Sequence, residues 1–201
     1  MRRSLLGVAA AGVALAGTVL MTGTASAATW TIDPGGPFTA AAGETVLTVQ
    51  ESGVELVCES ASAAGTLKSG SGQENPIGQL PDDGVLFNNC TGPLGLTFEV
   101  NHEGVWDLNG ATYDAATGVT TGTLDNISAI ITGPGCDATV SGSVNITFTN
   151  STDVLRVLPD PTLLIERVDA TNNCLGLIEQ GQHSTFNGTF TVSPGQDISS
   201  P

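Results

Sequence analysis

The sequence predicts an all-β protein: an antiparallel β-sandwich or flattened barrel of about a dozen short strands, with Greek-key-like links and two disulfides. Three observations carry that expectation. Past residue 27, no segment holds an apolar stripe at helical spacing for more than about two turns. Val, Ile, Thr and Phe instead alternate with small polar residues in short runs, punctuated by Gly, Pro, Asn and Asp. Four cysteines, Cys58, Cys90, Cys136 and Cys174, are widely spaced and form no C-x-x-C pair, which favours disulfides over zinc ligation.

Residues 1–27 read as a cleaved secretory signal. Arg2 and Arg3 precede an apolar run from Leu5 to Met21, and Ala25-Ser26-Ala27 supplies the small-residue cleavage site. Gly7, Gly12 and Gly17 interrupt the run, which argues against a retained membrane anchor. The paired arginines suit either the general secretory or the twin-arginine route. The expected location is therefore extracellular.

The strand candidates follow in order. Thr29 to Asp33 and Thr45 to Val49 come first, and "GVELVCES" then places Val54, Leu56 and Cys58 on one face. Gly65 to Ser69 and Val85 to Asn88 follow, with "PDDG" at residues 81–84 read as a turn rather than a calcium loop. "PLGLTFEV" is expected to point Leu94, Leu96, Phe98 and Val100 inward, so that corner reads as a strand lead-in and not as a display loop. Val105 to Leu108, Thr120 to Ile131, Ala138 to Thr149, Val154 to Leu158 and Leu163 to Val168 continue the series. "STFNGTFTV" ends it, with Phe186, Gly188, Phe190 and Val192 on one face. Residues 28–193 thus form one domain, and the polar 194–201 reads as a frayed tail without an apolar stop-transfer stretch.

The domain carries an internal echo. "CESASAAGTL" and "NNCTGPLGL" in the first half answer "CDATVSGSV" and "NNCLGL" in the second. Four cysteines allow three pairings. The echo favours Cys58–Cys90 and Cys136–Cys174, one bridge in each of two pseudo-repeated halves.

Charge bounds the partners. Once residues 1–27 are removed, Lys68, Arg156 and Arg167 stand against twenty acids, a formal charge of −17. Nucleic acid is excluded, because phosphate backbones are bound by clustered Lys and Arg. Anionic membranes are disfavoured for the same reason. Such acidity suits solubility outside the cell, and it predicts that added salt or mild acid relieves self-repulsion.

Catalytic and binding signals are sparse. His102 and His183 both read as solvated loop histidines, too far apart in sequence to suggest a metal pair, and no Gly-x-Ser-x-Gly elbow accompanies them. Trp30, Trp106 and Tyr113 read as core anchors rather than as a platform for sugar. No catalytic, cofactor or metal residue is assigned, and no enzyme is expected.

The segments "ATWTIDPGGPFTA", "GTLKSGSG", "CTGPLGLTF", "GPGC", "FTNSTDVLRVL" and "TFNGTFTVSP", with the block Trp106-x-Leu108-Asn109 and Tyr113-Asp114, resemble a family of small actinobacterial secreted proteins. The resemblance spans the chain after residue 27 and implies export without implying an activity. A fainter similarity of plan links the chain to secreted pseudomonad proteins of alkane oxidation and biofilm surface material. That likeness is at the level of the fold, which does not carry function.

The function expected is that of a non-enzymatic extracellular protein acting through its surface, on the cell envelope or an extracellular polymer. The alternatives are a carrier of a small apolar molecule, needing a cavity of about 300 Å³ or more, and a protease inhibitor.

Overall fold

The structure is a computed structural model that describes residues 28–201. The expected leader, 1–27, lies outside the described residues. Fifteen strands are present: β1 (Trp30–Asp33), β2 (Gly36–Ala42), β3 (Thr45–Val49), β4 (Glu55–Leu67), β5 (Gly70–Gln73), β6 (Gly78–Leu80), β7 (Val85–Thr91), β8 (Thr97–His102), β9 (Trp106–Asp114), β10 (Val119–Gly133), β11 (Cys136–Thr149), β12 (Val154–Val157), β13 (Leu163–Asn173), β14 (His183–Ser193) and β15 (Asp197–Ser199).

Twelve of these make eight staves. β2 and β3 lie end to end along one edge of β4, and β6 and β7 lie end to end along the other. β8 with β9, and β12 with β13, line the two sides of the β10–β11 hairpin in the same way. Three of the four broken staves have a plain local cause. Pro81 to Gly84 form a turn closed by a 2.8 Å bond from the Gly84 amide to the Pro81 carbonyl. Gly104, at φ +76°, bends the chain between β8 and β9. Pro159 and Pro161, which lack amide hydrogens, separate β12 from β13.

Every stave pairs with the next in sequence, and β14 returns to pair with β2 and β3. The all-β, antiparallel reading holds, in its flattened-barrel form. Its links run between neighbours, an up-and-down order in place of the expected Greek-key links. Closure removes the open edges that a sheet of this size would otherwise expose.

Alternation decides which side faces in. β10 and β11 bury every second residue, and a bulge between Leu124 and Ile127, with Asn126 at φ 58°, resets the phase of β10. Inward positions carry Leu56, Trp106, Ile131, Val140 and Phe190, while outward ones carry Thr, Ser, Asn and acids. This is the reverse of a membrane-spanning barrel, whose apolar band faces out. No helix of the described residues is long and apolar enough to cross a membrane.

One end of the barrel is closed by a small sheet in the order β15-β1-β5. Trp30 is wholly buried there, its ring resting on Gly110, where any Cβ would collide with it. Ile32 and Ile198 complete the seal at 1 % and 5 % exposure. The tail expected to fray is therefore part of the fold: Thr31, Ile32 and Asp33 pair with Ser199, Ile198 and Asp197. Asn150 fixes it further, its side chain bonding both the carbonyl and the amide of Ile198.

Candidate functional site

The other end has no such sheet. It is braced by the bridges Cys58–Cys90 and Cys136–Cys174, the pairing that the echo favoured. Counted from β2, the first bridge joins staves two and three and the second joins staves six and seven. They occupy equivalent places on opposite sides of the ring.

Each bridge leads into the same kind of turn. After β7, Pro93-Leu94-Gly95-Leu96 closes through a bond from the Leu96 amide to the Pro93 carbonyl, 3.2 Å. After β13, Cys174-Leu175-Gly176-Leu177 closes through the Leu177 amide and the Cys174 carbonyl, 3.0 Å. Both central residues of each turn have positive φ: 61° and 72° for Leu94 and Gly95, 59° and 71° for Leu175 and Gly176. That is the backbone of a type I′ turn, whose first central position favours Asn, Asp or Gly. Leucine there opposes its Cβ to the neighbouring carbonyl, at a cost of roughly 1–2 kcal/mol.

Leu94 gains almost no burial in return, and Leu175 only part. Leu94 is 87 % exposed, Leu175 55 % and Leu177 40 %. The inward orientation expected for Leu94 is thus overturned, because Gly92, Pro93 and Gly95 break the strand before Thr97. Leu96, Phe98 and Val100 keep the expected phase, half-buried, with Phe98 and Val100 packed on the core. Pro93, Leu96, Pro134, Leu175 and Leu177 border one hollow of about 50 Å³, so the two turns share a single apolar mouth.

Carboxylates surround that mouth. Glu55 lines the hollow itself, and Glu99 and Glu179 are exposed on the segments that carry the turns. Asp169 receives the amides of Asn172 and Thr171, both at 2.8 Å, and these hold its carboxyl below the usual range. Among the described residues, the arginine of this end is Arg167, and Asp137 holds it at 2.7 Å.

Of the two histidines, His183 lies at this end beside the β3–β4 turn, and His102 lies away from it along β8. His102 is buried, 2 % exposed, at the end of β8, not solvated as expected. Its Nδ1 accepts the Val85 amide at 3.0 Å, its ring lies 4.0 Å from that of Trp106, and its Nε2 has no partner. Burial lowers its pKa, against the opposing pull of Asp82, the Gly104 backbone, Asp83 and Glu103. The parity Phe98, Val100, His102 was the available signal. His183 opens β14 and is exposed; its Nδ1 meets Glu51 at 3.1 Å, and its backbone amide is the leading cause of the lowered Glu51 pKa. Among the described residues, no three His, Cys, Asp or Glu side chains gather as a metal site.

Inside the barrel, a void of about 100 Å³ is walled by side chains such as Phe38, Leu56, Val100, Trp106 and Phe190. Thr45 is the one hydroxyl residue in that wall, and its Oγ1 is buried without a partner. Smaller voids of about 50 and 40 Å³ lie towards the disulfide end and the capped end. Comparison with protein-family models, curated proteins and solved structures returns no match.

Proposed function

We propose that this is an exported, non-enzymatic protein that docks through the disulfide-braced end of its barrel onto the cell envelope or an extracellular polymer. The observation that carries the reading is the pair of leucines, Leu94 and Leu175, held exposed in left-handed conformation on two turns that border one mouth. Non-glycine residues in that conformation persist where the surroundings over-determine them, and they concentrate at functional sites. Here the surroundings are two disulfides, which presuppose an oxidising compartment.

The chemistry of the other polar groups agrees with a non-catalytic role. A histidine that acts as general base needs a free ring nitrogen facing substrate and a nucleophile or water beside it. His102 is buried with its Nδ1 on the Val85 amide, and His183, its Nδ1 held by Glu51, has no hydroxyl or thiol among its hydrogen-bond partners in the described residues. Carriage of a small apolar molecule has weaker support: the void within the barrel wall is about 100 Å³, where ligand pockets begin near roughly 300 Å³, and the roomier hollow of about 500 Å³ is bordered by outward-facing polar residues such as Thr39, Asp83 and Ser193.

Fractionation of the native culture tests the reading. Wild-type protein should sediment with envelope or matrix material, and a Leu94→Asn, Leu175→Asn double variant should move to the free fraction. Recovery of the wild type solely as a free monomer would overturn it.

A further inference from the structure

We infer that the partner of this end is a cationic protein surface: an apolar hollow that receives the leucines, rimmed by lysine or arginine. The inference rests on the docking reading above and names the chemistry of what docks. Stable recognition surfaces place a few apolar anchors at the centre and polar groups around them. The mouth has that arrangement. Leu175 and Leu177 border it, Leu94 projects from the turn whose Pro93 and Leu96 border it, Glu55 lines it, and Glu99, Asp169 and Glu179 stand on the segments that carry the turns.

The sign of the rim selects the occupant. Among the described residues, Arg167 is the arginine of this end and is paired with Asp137, and His183 is paired with Glu51, so the rim presents acids to an incoming surface. A second copy would bring the same acids and a further charge of −17 against it. Anionic lipid meets the same repulsion. An uncharged surface would satisfy the leucines but leave the acids to be desolvated without a counter-charge. A cationic surface satisfies both, and opposite fields speed the encounter.

The leucine itself is the feature retained. A turn under selection for stability alone is better served by Asn at this position, and both turns carry Leu. This also makes the test clean, because Leu→Asn suits the left-handed backbone and leaves the fold intact.

The probe is a helical peptide with leucines on one face and lysines on the other, titrated calorimetrically into the purified protein. A peptide with serines replacing the lysines and vesicles of phosphatidylcholine serve as comparisons. The expected result is binding of the leucine–lysine peptide alone, weakened about tenfold by Leu94→Asn with Leu175→Asn. Glu99→Gln with Glu179→Gln should weaken it comparably, while Glu74→Gln with Asp197→Asn at the capped end should not. Equal loss in the capped-end variant would reduce the effect to general attraction by net charge and overturn the inference, as would equal binding of the serine peptide or of the vesicles. If the peptide fails to bind while envelope association still depends on the leucines, the partner class is wrong and the docking reading stands. If the leucine variants leave envelope association unchanged, the docking reading itself falls.

Discussion

The two ends of the barrel solve one problem in opposite ways. At the capped end, β1, β5 and β15 cover the opening and bury Trp30, Ile32 and Ile198. At the disulfide end nothing comparable among the described residues covers the opening, and leucines project into solvent from turns that suit them badly. Burial stabilises the first end and covalent bridging the second. A surface freed from holding the barrel shut is available for contact with something else.

The largest effect expected breaks the capped end. Trp30→Ala removes a fully buried ring and should cost about 3–5 kcal/mol, read as a lower urea midpoint. A loss below about 1 kcal/mol would mean that the cap contributes little. Next comes the disulfide end. Replacing Cys58 and Cys90 together by alanine opens a closure of 32 residues, and replacing Cys136 and Cys174 opens one of 38. Each pair should cost roughly 3–4 kcal/mol by chain entropy. Nearly equal losses from the two pairs would confirm that the bridges bear equivalent loads.

A smaller effect sits between the ends, at His102. Unfolded, it titrates near about 6.5; folded, burial keeps it neutral to lower pH. As pH falls through the unfolded value, the unfolded chain takes up a proton that the fold refuses, so stability falls with acid. At lower pH, Glu51, Asp114 and Asp169 act in the same sense. Their depressed values contribute stability that is present above the unfolded pKa and lost as pH falls through the folded one. Relief of the −17 charge works against all four. Comparison with His102→Gln separates the two: the wild type should lose thermal midpoint relative to the variant between pH about 7 and about 5. A constant difference would show that His102 does not govern that window.

The smallest effect sharpens the contrast. Leu94→Asn and Leu175→Asn should each raise stability, by up to about 1 kcal/mol, by relieving the left-handed leucine. Any gain, paired with loss of docking, would show a surface kept at the expense of stability. A loss would mean that the leucines support the fold after all.

Much of this was legible in the chain. The alternation in β10, β11 and β14 gave the strands and their inward faces, because an apolar interior imposes period two. The echoed cysteines gave the pairing. Closure and the neighbour-to-neighbour order were hidden, since a sandwich and a barrel share one alternation. β15 was missed because Ile198 is its sole apolar residue among Asp197 and serines. The display of Leu94 was misread by carrying strand parity through Gly92 and Pro93, two residues that should have stopped it.

The cap also sets a schedule. Thr31 to Asp33 find their partners at Asp197 to Ser199, and β2 finds one of its neighbours in β14. A chain emerging from its N-terminal side must hold those early edges open until nearly everything downstream has arrived. Contacts so distant in sequence form slowly. The barrel thus closes late, and its cap locks only when residue 198 reaches residue 32.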